Sequence, residues 1–411
     1  MILFSKGLSI AAGLALWVMI ATPQAYAVAR YVSPRGAGAK DGSDWANAAS
    51  NVQDAITACV SAASTIYMLT GRYELVSNLV ITNAVDLTII GGHTGSALET
   101  TNTPPTLVTR NTGYNIRLLA ATNSTVRFDS LTFTNGYGDV GNVARGFTVN
   151  LVGSRTIFTN CVLRDNTAFN NGFDAGKFGT AIYAQDGTLT ILNCLFQDNR
   201  DTDAYVQYGG AIYANAVGFT NINTRFTRNS VTGNNNAHGG GIYLASCTNA
   251  LLAGCTFTSN SASILGYGAH IYANASPNLL ITNSGFFGGA ANLRGTAILL
   301  TGNAQSTTIV DCDIQENNSV GGGEDVYVNT VNTTQIRHTR IGSGSRHGIT
   351  LDLNGTLVLT NCLITAQPLH GIWCTTGTVR MANCTIADNA GWGISNGNAS
   401  VTVTDSIIWG N

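Results

Sequence analysis

This chain is short of charge. Asp, Glu, Lys and Arg make up 10% of its 411 residues, and only Lys6, Lys40 and Lys177 are lysine. Ordinary globular domains carry about 25% charged residues. With 20 basic and 22 acidic side chains the net charge is −2, so the basic excess that an electrostatic nucleic-acid or anionic-membrane binder needs is missing. After Ile20 no stretch is apolar enough to cross a bilayer. Disorder is excluded from the other side, because 44% hydrophobic residues at this low charge bury a large core. What the chain has instead is 47 Gly and 42 Asn. Asn is poor inside helices and strands and good at bends, so the backbone must bend very often.

Lys6 precedes an apolar run from Leu8 to Ile20, and Ala25-Tyr26-Ala27 forms a small-x-small cleavage site. This pattern predicts a secretory signal peptide over residues 1–27, with cleavage before Val28. The mature protein is expected to be secreted or held at the cell surface, and not integral to a membrane apart from the signal segment. Export permits disulfides, yet nine cysteines is an odd number, so at least one has no partner within the chain.

Beyond residue 160 the sequence repeats. Asn160-Cys161-Val162-Leu163 returns as Asn193-Cys194-Leu195-Phe196, and the pattern recurs at Thr224, Cys255, Ser284, Cys312, Thr339, Cys362, Cys384 and Ser406. Successive anchors lie 33, 30, 31, 29, 28, 27, 23, 22 and 22 residues apart. The anchor is always Cys, Thr or Ser, and two residues later stands a Leu, Phe or Ile. Nine of the ten residues before the anchors are Asn, Asp or Gly, which tolerate a left-handed backbone; the tenth is His338. An inward residue three before the anchor breaks the period-2 alternation of a strand, and a bend at the Asn, Asp or Gly just before the anchor restores it. A second Asn column follows five residues past the anchor at Asn166, Asn199, Asn229, Asn260, Asn317, Asn389 and Asn411.

A third strand opens each repeat, clearest in Gly179-Thr180-Ala181-Ile182-Tyr183, Gly209-Gly210-Ala211-Ile212-Tyr213 and Gly239-Gly240-Gly241-Ile242-Tyr243. Three short strands and three corners per 22–33 residues predict an all-β fold, a right-handed parallel β-helix whose coils stack about 4.8 Å apart. A leucine-rich repeat has a similar period, but it returns through a helical or extended segment instead of two further strands. Ser50 to Gln53 has the spacing of a capping box, followed by Val52, Ala55, Ile56, Cys59 and Val60 on one face. Residues 28–64 are therefore expected to end in a short helix that caps the stack, and residues 65–411 to form the β-helix. Asn411 completes a repeat, so a further C-terminal cap is expected to be missing.

The Gly-Gly-Ala-Ile segment at 209–212 and the Phe-x-x-Asn segments beginning at Phe196, Phe226 and Phe257 resemble the repeats of polymorphic outer-membrane proteins. Tyr31-Val32-Ser33-Pro34, Asp41-Gly42-Ser43 with Trp45, and Gly71-Arg72-Tyr73 are similar to the opening of secreted pectate-lyase-like β-helix proteins. Members of that group include polysaccharide lyases, hydrolases and non-enzymatic surface proteins, so the resemblance implies the fold and leaves the activity open. It also implies that a substrate cleft would lie over the strand face carrying the Ile-Tyr pairs.

Insertions fall at one corner and shorten along the chain. Asn166 and Gly179 are 13 residues apart, and Asn389 and Gly391 only 2. Beside these loops Tyr183, Tyr213, Tyr243 and Tyr272 follow the inward Ile, with Gln185, Asn215 and Asn274 two positions on. Rings next to amides suit a polysaccharide or cell-surface glycan, which makes a glycan-binding, adhesive or structural module the first expectation. The alternative is a calcium-dependent polysaccharide lyase or a glycoside hydrolase acting on acidic polysaccharide. Asp174, Asp198, Asp201 and Asp203 would then hold Ca²⁺, and Lys177 would act as the catalytic base. His347, His370 and Trp392 all stand two before the inward Ile and are expected to stack on one another. No Cys-x-x-Cys or phosphate loop is present.

Overall fold

The computed structural model describes residues 27–95, 105–138, 144–168, 176–202, 206–233, 236–263, 265–319 and 321–411. Most of the signal segment therefore lies outside the described residues. The rest winds into a right-handed parallel β-helix. One coil shows how the sequence does it. Ile182–Gln185, Thr188–Leu192 and Leu195–Gln197 are three strands separated by two tight corners. Each pairs in parallel and in register with its counterpart 30 residues on: Ile182 with Ile212, Leu189 with Phe219, Phe196 with Phe226. Repeated along the chain, this gives sheets of 12, 14 and 13 strands with the apolar residues facing a common interior. There like residues stack: Phe196, Phe226, Phe257 and Phe286 follow one another at ring separations of 4.9, 4.7 and 4.9 Å.

The residue before every anchor is left-handed, with φ between 45° and 63° from Asn160 through Asp405, His338 included. A second left-handed corner lies four residues past each anchor, and here the residue types do not announce it. Asp165, Asp198, Arg228, Ser259, Gly288, Glu316, Ser343, Ala366, Asp388 and Gly410 all have positive φ. The stack imposes it: the Asp165 N–H donates to the Gln197 carbonyl at 3.1 Å and the Arg228 N–H to the Thr258 carbonyl at 3.0 Å. Inter-coil bonds of this kind outweigh a left-handed cost of about 1–2 kcal/mol.

The anchor does more than fill a small space. At six of the nine steps its hydroxyl or thiol accepts the backbone N–H of the preceding coil's anchor, as Thr224 Oγ1 does from Cys194 at 3.4 Å and Ser284 Oγ from Cys255 at 3.1 Å. The amide column is the other repeated polar device. Asn166 donates through Nδ2 to Asn199 Oδ1, Asn199 to Asn229 and Asn229 to Asn260, at 2.8, 2.8 and 2.9 Å. The same Nδ2 groups of Asn199, Asn229 and Asn260 reach the carbonyls of Leu163, Phe196 and Phe226. None of these side chains is solvent-exposed.

Two coils lack the amide. Where Gly289 replaces it, His270 from the same coil lies between Asn260 Nδ2 at 3.0 Å and Asn317 Oδ1 at 3.1 Å. Where Gly344 replaces it, Asp325 fills the slot, bonded by Gln367 Nε2 at 2.9 Å and by Asn317. A Cβ on Gly344 would stand 2.5 Å from Asp325 Oδ2. The column then resumes through Gln367, Asn389 and Asn411.

At the N-terminal end, the strand Ala29–Val32 pairs with Ala63–Leu69, and the helix Val52–Cys59 buries Val52, Ala55, Ile56 and Cys59. Its N-cap is Asn51, whose side chain accepts the Gln53 N–H at 2.9 Å, one residue later than the capping-box spacing places it. At the other end Ser400–Thr404 and Ile407–Trp409 leave Val403, Ile407, Ile408 and Trp409 exposed.

Asn229→Ala leaves the Asn199 N–H without its acceptor in the core and takes one bond each from Asn199 Nδ2, the Phe196 carbonyl and Asn260 Oδ1. It is expected to destabilise the rod by about 3 kcal/mol in urea titration. Ala366→Gly, at a left-handed corner with φ of 54°, is expected to stabilise by up to about 1 kcal/mol.

Candidate functional site: a layered aromatic ridge

The Ile-Tyr strands place their tyrosines on the outer side of the 12-stranded sheet, and the rings stack along the rod. Tyr183, Tyr213, Tyr243 and Tyr272 follow one another at 5.4, 5.2 and 4.7 Å, their planes nearly parallel. This row is not an open surface. Tyr183 and Tyr243 are buried, while Tyr213 and Tyr272 are half-buried. Burial pushes the hydroxyls of Tyr213 and Tyr272 up to about 12 and that of Tyr243 higher still.

What covers the row was not foreseen. The insertion segments form strands of their own: Lys177–Phe178, Gln207–Tyr208, Ala237–His238 and Gly266–Tyr267 stack in a short parallel sheet. Phe178, Tyr208, His238 and Tyr267 make a second aromatic row at 5.2, 5.2 and 5.1 Å. The first three pack against the tyrosine of the following coil, Phe178 on Tyr213 at 4.9 Å, Tyr208 on Tyr243 at 5.0 Å and His238 on Tyr272 at 4.7 Å. All four outer rings are partly exposed, in the same range as Tyr213 and Tyr272. Their sequence signal is an aromatic or His four before the inward Ile, immediately ahead of a Gly with positive φ.

Gln185, Asn215 and Asn274 are half-buried beside the inner row, and Gln185 accepts a hydrogen bond from the Tyr183 hydroxyl. Arg145 lies over Tyr183 with its guanidinium carbon 5.3 Å from the ring centroid. At the far end of the outer row, Tyr267 is followed in the next coil by Arg294, which sits 4.7 Å over Tyr327. Beyond it His347, His370 and Trp392 stack at 4.9 and 5.4 Å, as their spacing predicts.

The acidic set behaves differently from the expectation. Asp174 and Asp203 lie outside the described residues. Asp198 holds Arg228 through two bonds of 2.9 and 2.7 Å, and this partner keeps its carboxyl down at about 2. Asp201 is buried in the short strand Arg200–Asp201, and Lys177 is buried in the short sheet instead of facing a cleft. Among the described residues no group of three or more His, Cys, Asp or Glu is placed to hold a metal ion. No helix among them is long and apolar enough to cross a membrane.

Comparison with known proteins agrees with this architecture. The model of the right-handed β-helix region matches residues 50–322, 212–379 and 310–411, and the chain belongs to that family. No curated protein matches it. Among solved structures it is similar to a periplasmic alginate epimerase, at 12% identity and a TM-score of 0.49, over 84% of this chain and 77% of that one. It is also similar to the A-module of the Azotobacter vinelandii mannuronan C-5 epimerase AlgE6, at 15% identity and 0.41, over 86% and 94%. The catalytic domain of a GH87 α-1,3-glucanase gives 11% and 0.47, over 83% and 64%. These likenesses concern the fold.

Burial holds three histidines neutral: His238 falls to about 4, and His270 and His347 to about 3. The unfolded chain takes up protons on all three below about pH 6.5, whereas the fold does not until pH 4 or lower. Stability is therefore expected to drop as pH falls from 6.5 toward 4, by up to about 1.4 kcal/mol per pH unit for each histidine. His238→Phe, which keeps the stacked ring, should remove its share of the loss in urea titrations at pH 7.5 and 4.5. An unchanged pH dependence would contradict the assignment.

Proposed function

We propose that this is an exported β-helix protein, secreted or at the cell surface, that binds a glycan chain along the aromatic ridge. The observation that carries the proposal is the partly exposed row Phe178, Tyr208, His238 and Tyr267, running parallel to the rod axis at just over 5 Å per ring. Stacked in this way the rings turn their faces to one another, so what they offer a glycan is a strip of apolar ring edges held at fixed spacing. The buried tyrosines underneath hold the outer rings in place, so little side-chain entropy is lost on binding. Tyr213 and Tyr272 contribute at the edges, and Gln185, Asn215 and Asn274 supply hydrogen bonds beside them. Nucleic acid is disfavoured as a ligand by the net charge of −2.

Titration calorimetry of the mature chain against neutral and acidic oligosaccharides tests this. Tyr208→Ala and Tyr267→Ala are each expected to weaken binding about tenfold, with little dependence on salt. Binding untouched by both substitutions, or no glycan bound at all, would contradict it.

A further inference from the structure

The anchor column repeats a thiol where a hydroxyl serves equally well, and in two places two thiols meet. Cys161 is followed by Cys194 in the next coil, and Cys362 by Cys384. Elsewhere in the column each cysteine stands between hydroxyls: Cys255 between Thr224 and Ser284, Cys312 between Ser284 and Thr339. Cys59, Cys247 and Cys374 lie outside it.

We propose that Cys161 with Cys194, and Cys362 with Cys384, are two inter-coil disulfide sites, closed by a disulfide oxidant in the compartment to which the chain is exported. The proposal rests on the export reading above. The Cys161 N–H donates to Cys194 Sγ at 3.4 Å, and the Cys362 N–H to Cys384 Sγ at 3.4 Å. Flanking strands are in register, Val162 with Leu195 and Leu363 with Thr385. The spacing of stacked coils, about 4.8 Å, lies within the roughly 4.4–6.8 Å between Cα atoms that a disulfide takes. Cβ atoms stacked at that spacing need to close by up to about 1 Å to reach the roughly 3.5–4.5 Å that a disulfide takes.

The two thiols of each pair share a hydrogen bond, which splits their acidities. Cys362 is raised and Cys384 lowered to about 7 by it, and Cys194 is likewise lowered by Cys161. In the first step the Cys384 thiolate attacks one sulfur of the oxidant's disulfide, forming a mixed disulfide and releasing one thiolate. Cys362 then loses its proton and attacks Cys384 Sγ, releasing the second. The pair gives up two electrons and two protons, and the oxidant is reduced to two thiols. Cys194 and Cys161 react in the same way. All four side chains are buried in the finished rod, so closure belongs to folding, once the two paired coils have stacked and before the coils on either side cover them.

The exported chain, denatured and alkylated without reduction, is expected to show five reactive thiols, and nine after reduction. Peptide mapping should find Cys161 linked to Cys194 and Cys362 to Cys384. Cys194→Ser and Cys384→Ser, which keep a hydroxyl where the column already uses Ser284 and Ser406, should each give six reactive thiols. The full chain refolded in a glutathione redox buffer provides the second arm. Nine reactive thiols in both arms, or bridges to Cys59, Cys247 or Cys374, overturn the proposal. Nine in the exported chain but five after refolding support the pairs and contradict the export reading.

Discussion

A side-chain amide buried at one corner of the coil is what the rest of this rod depends on. Each coil turns there on a left-handed residue, and the turn leaves a main-chain carbonyl and N–H groups facing an apolar interior. Asn229 answers for several of them at once: it accepts from Asn199, donates to Asn260 and caps the Phe196 carbonyl. Left alone, such groups would cost about 1–3 kcal/mol each. Because each amide is also the next one's partner, the column fixes coil register as well as satisfying the corner. The phenylalanine stack beside it has no such preference for position along the axis.

The two interruptions show that the slot, and not the residue, is what matters. Gly289 and Gly344 each remove the amide, and in the same coils a position otherwise held by Ala181, Ala211 or Ala297 becomes His270 or Asp325. Those side chains reach across the coil and complete the column. Asp325, completely buried, has its carboxyl pushed well above the ordinary range by desolvation.

Much of this was legible in the sequence, and the boundary of legibility is physical. The corner before the anchor can be read because Asn, Asp and Gly tolerate left-handed backbone. The corner at Arg228, Glu316 and Ala366 cannot, because inter-coil hydrogen bonds impose it on whatever residue stands there. The inner tyrosines follow from strand alternation, and so does the stacking of His347 on His370. Their cover does not follow, because strands as short as Gln207–Tyr208 exist only through pairing with neighbours 30 residues away. Reading those segments as plain loops left the tyrosines on the surface and Lys177 in a cleft. Both positions are buried or partly covered once the short sheet forms. The functional face thereby moves outward by one aromatic layer, to rings that the rigid stack beneath holds at a fixed spacing.

The claim that a filled amide slot governs coil stacking is tested most directly by a double-mutant cycle at Asp325 and Gly344, measured by equilibrium unfolding at pH 7. Asp325→Ala empties the slot, and Gly344→Asn alone crowds it, since the added Cβ meets Asp325 and Gln367 side chains and no backbone. Each single substitution is predicted to destabilise the rod by about 2–3 kcal/mol. The double variant, which recreates the Ala and Asn of the ordinary coils, is predicted to recover most of that loss. Additive losses in the double variant, or an Asp325→Ala chain as stable as the parent, would contradict the account.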